Sequence, residues 1–323
     1  MNVIASAFAF RPGCGNSMQL GSKNDKEKQD IYIKNIIITL TSAKLHNPED
    51  EVLLVTNEEP PKYCCEQLKQ AGVAVRVIPY NDYVMPEKFA WSLAFFKLCT
   101  LKYLAAQDYG KILLIDADTL TVEPFTELWQ EMDHGMMLYP VNHSYMHHDR
   151  NEIREDAVLL GFGDQGNVIH YGGEFVGGKK EDMSVFLEIC REVFAKIESI
   201  NYDVRNNIGD ETVLSVAAML YKKKYPVTEA GAYLFRFWTE RRFYLVCSNT
   251  IYNPVCIWHL PAEKDKGFLL MYRYYMKHGG YPDKKEAAKM FGIYPAERPN
   301  SLYTLKGRMM RKMSNRRANR KSC

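Results

Sequence analysis

The sequence predicts an α/β protein, with a mixed, mainly parallel sheet flanked by helices in one domain over 1–295 and a basic C-terminal tail over 296–323. Three observations lead there. Strand-like and helix-like segments alternate through the first half, the pattern of a parallel sheet covered by helices. The run Ile112-Leu113-Leu114-Ile115 is apolar at every position, as expected of a strand buried on both faces. After Glu297 the chain carries lysine and arginine but no acid, so it ends in a charge block unlike the body.

Residues 3–10 form the expected first strand; they are too short to span a bilayer and lack the basic start of a signal peptide. Residues 11–30, rich in Gly, Ser, Asn and charge, read as a loop. A helix is expected over 31–46. Ile36-Ile37-Ile38-Thr39 would suit a strand by propensity, but the length of the run and the stop at His46-Asn47-Pro48 favour the helix. Strands at 51–56 and 73–78 flank a helix at 61–71, with Pro61 at its start and Gly72 just past its end. A helix over 95–107, the strand at 112–115 and a short helix opened by Pro124 and running to Met132 follow. Further on, Met183, Phe186, Cys190, Val193 and Ile197 recur at helical spacing, and another helix over 212–223 follows Gly209-Asp210-Glu211.

The composition, 46% hydrophobic and 25% charged over 323 residues, is that of a globular protein able to build a large core. Its 21 tyrosines and 15 phenylalanines suit stacking against sugars or bases, or equally an aromatic-rich core. The 8 cysteines form no Cys-x-x-Cys pair and sit mostly in apolar stretches such as Phe96-Lys97-Leu98-Cys99. Reduced core thiols, and hence a reducing, cytoplasmic compartment, are expected.

Asp116-Ala117-Asp118 follows the apolar strand, at the carboxyl end where open α/β sheets hold their ligands. In extended chain, residues two apart point the same way, so both carboxylates can face one ion while the small Ala117 points aside. Two hard anionic oxygens suit Mg²⁺ or Mn²⁺. A strand-end turn with solvated aspartates is the alternative for this common pattern. Lys97, at a helix start upstream, could reach the same crevice; an ordinary surface lysine is the alternative.

Lys97-Leu98-Cys99 followed by Lys111-Ile-Leu-Leu-Ile-Asp116-Ala-Asp118-Thr119-Leu120 closely resembles the matching segment of glycogenin and other family 8 glycosyltransferases. The resemblance implies a GT-A, Rossmann-like fold and a nucleotide-sugar donor. In that family the basic residue contacts the donor, and the two aspartates bind manganese. Ile208-Gly209-Asp210-Glu211-Thr212-Val213-Leu214 is similar to the family's Gly-Asp-Gln-x-x-Leu segment, whose acid and amide lie beside the transferred sugar. Trp258-His259-Leu260, followed by Lys264 and Lys266, resembles the late element that supplies the third metal ligand and a lysine for the diphosphate. The metal set thus implied is Asp116, Asp118 and His259, holding Mn²⁺ or Mg²⁺, although His259 taken alone reads as a core or rim histidine. The implied sugar-donor contacts are Lys97, Ala5, Ser6, Ala117, Gly172, Gly173, Lys264 and Lys266. Glu211 and Asp210 are the implied catalytic pair, although acids at a helix start are also stabilised there by the helix dipole. Gly172 and Gly173 would let backbone approach the donor, or mark a bulge.

Two departures stand out. Where family 8 has Asn-Ala-Gly, this chain has His170-Tyr171-Gly172-Gly173-Glu174, which looks more like family 6, as does Asp210-Glu211 in place of Asp-Gln. The aspartate common at the end of the first strand in family 8 is absent from Ala5-Ser6-Ala7. Both families retain anomeric configuration, so a retaining hexosyltransferase, using a UDP-linked sugar and a saccharide, lipid-linked or protein-linked acceptor, is expected. Leu302, Leu305, Met309, Met310 and Met313 between the tail's basic residues would form a basic amphipathic helix contacting an anionic membrane peripherally. A solvated end is the other reading of those residues, and nucleic acid ranks behind. His143, His147 and His148 have no defined metal spacing and read as an acceptor-side or plain surface loop. Two rival functions are weighed. Asp116-Ala-Asp118-Thr119 also mimics the first motif of haloacid-dehalogenase-type phosphohydrolases, though three strand-like segments precede it here. A catalytically inactive nucleotide-sugar-binding protein is the non-enzyme alternative.

Overall fold

The apolar segments of the first half pair side by side in the computed structural model, which describes residues 1–11, 20, 23–141, 148–166, 168–237, 255–293 and Met309. Strand β1 (Val3–Phe8) leads into α1 (Asp25–His46), followed by β2 (Glu51–Thr56), α2 (Lys62–Gln70), β3 (Ala74–Val77), α3 (Phe96–Ala105) and β4 (Lys111–Ile115). These strands are parallel neighbours in the order β3-β2-β1-β4. The chain then adds β5 (Thr119–Thr121), α4 (Thr126–Glu131), β6 (Met136–Pro140), α5 (His148–Leu159), β7 (Tyr171–Lys179), α6 (Lys180–Ser199), α7 (Asp210–Tyr221) and β8 (Val227–Glu229). β7 inserts beside β4 and runs against both neighbours, completing a 7-stranded, mostly parallel mixed sheet with the order β3-β2-β1-β4-β7-β6-β8.

Strand alternation divides the core between the two faces. Val3, Ala5, Leu53, Val55, Ile112 and Leu114 pack with α3, α6 and α7. Their sequence neighbours Ile4, Val52, Leu54, Leu113 and Ile115 pack with α1, α2 and α4. A second, 3-stranded sheet joins β5 to β10 (Ile257–His259) and β9 (Leu234–Arg236) in the order β5-β10-β9. With α8 (Gly267–His278) and α9 (Lys284–Met290) it encloses a third apolar cluster.

Helix α1 is buried almost continuously from Ile31 to Ala43, which explains its strand-like Ile36-Ile37-Ile38-Thr39. One side meets the main sheet through Ile36, Ile37 and Leu40, and Ile38 faces the third cluster. A helix covered all round is apolar all round. It also begins at Asp25, inside the stretch read as a loop from composition. The missed signal is a capping box: Asn24 Oδ1 accepts from the Glu27 amide at 2.9 Å, and Glu27 accepts from the Asn24 amide at 3.2 Å. Other boundaries shift for local reasons. A 3-10 turn at Ser92–Phe95 precedes α3, α4 starts at Thr126 behind Phe125, and α7 starts at Asp210. β5, β6, β8 and β9 have no counterpart among the expected strands.

Among the described residues no helix is long and apolar enough to cross a membrane. The five cysteines there, Cys64, Cys65, Cys99, Cys190 and Cys256, are free thiols. The expectations for His143, His147 and, apart from Met309, the tail fall outside the described residues; His148 is the first residue of α5.

Asn24→Ala removes the reciprocal cap, so it should lower unfolding stability by about 1 kcal/mol. The check is the urea midpoint, which should fall at unchanged denaturant dependence; an unaltered midpoint would mean that the start of α1 is held by packing alone.

Candidate metal and ligand cleft

β1 and β4 are adjacent, yet the chain proceeds from them in opposite directions along the sheet, from β1 to β2 and from β4 toward β6. Such a switch point leaves a crevice at the carboxyl ends of the strands. A cleft of about 380 Å³ lies there, lined from β1 by Ala7, Phe8 and Ala9 and beyond β4 by Asp116, Ala117 and Asp118. The two carboxylates converge through a turn rather than through extended alternation. The chain reverses at 117–118, and the Thr119 hydroxyl donates to the Asp116 carbonyl at 2.9 Å. Thr39 of α1 donates to the Thr119 carbonyl at 2.7 Å, pinning the turn from behind. Ala117 therefore lines the cleft instead of pointing aside.

Sheet pairing supplies the third ligand. β10 runs antiparallel to β5 with His259 opposite Thr119, which sets the imidazole beside Asp118. Asp116 gives one oxygen to Lys97 (2.6 Å), and its other lies 3.9 Å from His259 Nε2. Asp118 gives one oxygen to Lys264, and its other lies 3.3 Å from the same Nε2. Each aspartate thus turns one lysine-free oxygen toward one imidazole nitrogen, and ligand atoms of the three residues lie within 4.8 Å of one another. This group can hold a metal ion, since two carboxylates and an imidazole form a donor set suited to hard or borderline divalent ions.

Glu174 and Arg236 complete the site, and the sequence reading missed both. Glu174 is fully buried and meets His259 Nδ1 at 3.2 Å. A carboxylate there fixes the ring and leaves Nε2 for the ligand side. Arg236 donates to Glu174 at 2.5 Å through Nε and also bonds it through Nη2. Nη2 also reaches Glu211 at 3.0 Å. Arg236 arrives because β9 pairs parallel with β10, setting it beside His259. The signal was present: a lone charge in an apolar strand, such as Glu174 before Phe175-Val176 or Arg236 between Phe235 and Phe237, must find a partner when buried.

Asp210 and Glu211 open α7 on the far side of the cleft. Lys97 Nζ lies 3.3 Å from Asp210 and donates to the Gly173 carbonyl at 3.0 Å. Glu211 is held by Arg236, by His170 at 2.7 Å and by the Gly173 amide at 3.3 Å. The glycines are required by this crowding. A Cβ on Gly172 would lie 1.9 Å from Glu174 Oε2, and one on Gly173 would lie 2.1 Å from Asp210 Oδ2. The register also shifts between Leu138 and Tyr139 opposite this stretch, so the close approach and the irregularity occur together.

The remaining candidates separate. Lys264 is buried in the cleft wall, whereas Lys266 is exposed and off it. Ala5 and Ser6 are fully buried inside β1 and do not reach the cleft, because the strand continues to Phe8. Their expected place is taken by Ala7–Ala9 together with Tyr32, whose ring lies 5.5 Å from that of Phe8.

Burial and partners push the two α7 acids apart. Burial raises Asp210 to about 6, with Glu211 and Asp116 adding to the rise against the pull of Lys97. Burial would raise Glu211 too, but Arg236 and His170 outweigh it and lower Glu211 to about 2. For His259, burial favours the neutral ring, yet Asp118 and Glu174 overcome it and raise the pKa to about 9. Asp118 is held well below the usual range: burial opposes ionisation, and Lys264 and His259 more than reverse that.

No protein-family model matches the chain, and no characterised protein is significantly similar to it.

A divalent ion held by His259 would take the place of the ring's Nε2 proton. The imidazolium's stabilisation is complete below 6.5 and is lost as pH rises through about 9, the sign for a pKa raised by folding. Mn²⁺ binding to the protein should therefore release a proton and tighten with pH across that window, by up to about tenfold per unit. Calorimetry in two buffers of different ionisation enthalpy measures this; affinity independent of pH would remove His259 from the ligand set.

Proposed function

We propose that this protein is a metal-dependent, retaining glycosyltransferase of GT-A type that moves a hexose from a nucleotide-diphosphate sugar, UDP-linked in our reading, to a saccharide acceptor. One observation carries the proposal. The three converging ligand atoms of Asp116, Asp118 and His259 are flanked by two ammonium groups, half-buried Lys97 and buried Lys264, with an ionised carboxylate, Glu211, in the same cleft.

A departing diphosphate accumulates negative charge, and cations already fixed in place stabilise it without reorganisation. Lys97 and Lys264 supply such charge on this chain. Asp116, Asp118 and His259 would hold Mn²⁺ or Mg²⁺, which when bound adds Lewis-acid stabilisation of the same oxygens. Phe8 and Tyr32, on the β1 side, offer aromatic surface to a base. Glu211, anionic at neutral pH and held by Arg236 and His170, faces the cleft where an oxocarbenium-like centre needs a carboxylate. Asp210, next to it, is placed to accept hydrogen bonds from sugar hydroxyls.

A thermal-shift screen of nucleotide sugars with and without Mn²⁺ tests the sugar donor and its metal together. A matching sugar donor at a hundredfold over its Kd should add about 2.7 kcal/mol of apparent stability. Asp118→Asn should erase the manganese-dependent part of that gain. Stabilisation that ignores the ion, or release of phosphate from phosphomonoesters without any nucleotide-sugar hydrolysis, would sink the proposal. With the sugar donor known, Glu211→Gln should lower kcat by at least about a hundredfold while leaving its affinity largely intact; an unchanged kcat would exclude Glu211.

A further inference from the structure

The cleft continues past Asp210 and Glu211 into a wall that the chemistry above does not use. Its residues are Trp91, half-buried before the 3-10 turn at Ser92–Phe95, Glu152 of α5, and Arg205 and Asn207 from the segment before α7. The wall is rigidly built. Arg205 grips the buried Asp156 with two hydrogen bonds, at 2.8 and 2.5 Å, and also bonds Glu152. It donates to Asn207 Oδ1 at 3.3 Å, and Thr212 of α7 donates to Asp156 at 3.3 Å. The wall is thereby tied to the helix that carries Asp210 and Glu211. Trp91 stands against Gly209, the residue immediately before that pair; a Cβ on Gly209 would touch the Trp91 side chain at 3.7 Å.

We propose that this wall is a binding subsite for a neutral pyranoside, the acceptor sugar of the transfer, which packs on Trp91 and hydrogen-bonds through its hydroxyls to Glu152 and Asn207. The inference rests on the glycosyltransferase reading of the same cleft. Three features select the ligand class. An indole offers an apolar face that suits the C–H face of a pyranose ring. A half-exposed carboxylate and a primary amide are, respectively, an acceptor pair and a mixed donor–acceptor group, the complement of neighbouring hydroxyls. The guanidinium of Arg205 is engaged with Asp156, Glu152 and Asn207, so the wall has its positive charge matched internally and is not built to capture a phosphate or carboxylate. Its location adds a fourth reason. A sugar seated on Trp91 lies beside the start of α7, next to the carboxylates at which transfer is proposed. The groups are held by one another before any ligand arrives, which lowers the ordering cost of a weak, hydroxyl-rich ligand.

The test uses the full-length protein with Mn²⁺ and UDP, and a panel of methyl pyranosides (gluco, galacto, manno and N-acetylglucosamine) observed by saturation-transfer NMR. At least one glycoside should bind. Trp91→Ala should weaken it by at least about tenfold, Asn207→Ala by several-fold, and Trp91→Phe should restore most of the affinity. UDP affinity, measured on the same samples, should be unchanged in all three variants, which also shows that they are folded. UDP binding without any glycoside binding, or glycoside binding indifferent to Trp91→Ala, would overturn the subsite and leave the nucleotide-sugar reading standing. Glycoside binding through Trp91 without UDP binding would support the subsite and overturn that reading.

Discussion

Asp116, Asp118, Glu174, Asp210 and Glu211 converge around the end of β4, and three of them are almost fully buried. Taking so many like charges out of water costs several kcal/mol per ion unless each finds a partner. The site is organised by that requirement. Lys97 is shared between Asp116 and Asp210, Arg236 between Glu174 and Glu211, and Lys264 is given to Asp118. His259 lies between Asp118 and Glu174 and is held protonated by them up to about pH 9. His170 stands against Glu211 as well, at 2.7 Å. The carboxylate oxygens that Asp116 and Asp118 turn toward His259 are where a divalent cation could be held.

The fold is what makes this arrangement available. The charged groups come from several elements, and strand pairing fixes those on the two sheets. β4 delivers Asp116, the antiparallel β5–β10 pair delivers His259, and the parallel β9–β10 pair brings Arg236 beside it. β7, reversed between β4 and β6, carries Glu174 and the two side-chain-free positions, Gly172 and Gly173, that leave room for Glu174, Asp210 and Lys97. Helix α1, buried on both sides, transmits the packing of the second sheet to the 117–118 turn through Thr39. Loss of Lys97, Arg236 or Lys264 would take a cation from a buried carboxylate, which is costlier than the loss of one neutral hydrogen bond.

Much of this was legible in the sequence. The apolar strand before Asp116-Ala117-Asp118 and the alternation of elements place the cleft, and Lys97, Asp210, Glu211, His259 and Lys264 all line it. What failed had definite causes. The start of α1 was lost because Asn24 and Glu27 form their capping box inside a polar stretch that composition alone reads as loop. Ala5 and Ser6 came from the family resemblance alone; β1 pairs with β2 through Phe8 and Thr56, so its carboxyl end lies beyond both. Lys264 and Lys266 are equivalent in sequence. Only the 3-10 turn at Pro261–Glu263 decides that the first is buried against Asp118 and the second exposed.

The sequence by itself determined the α/β class, the strand that ends in two carboxylates and the chemical types gathered near them, because burial and periodicity are local properties of the chain. Tertiary structure decided which charges meet. The pairing of Glu174 with both Arg236 and His259, and the sharing of Lys97 between Asp116 and Asp210, arise from strand register and from a helix start brought across the sheet. Buried charges choose partners by distance in space, and distance between β7, β9 and β10 is set by pairing that no local pattern encodes.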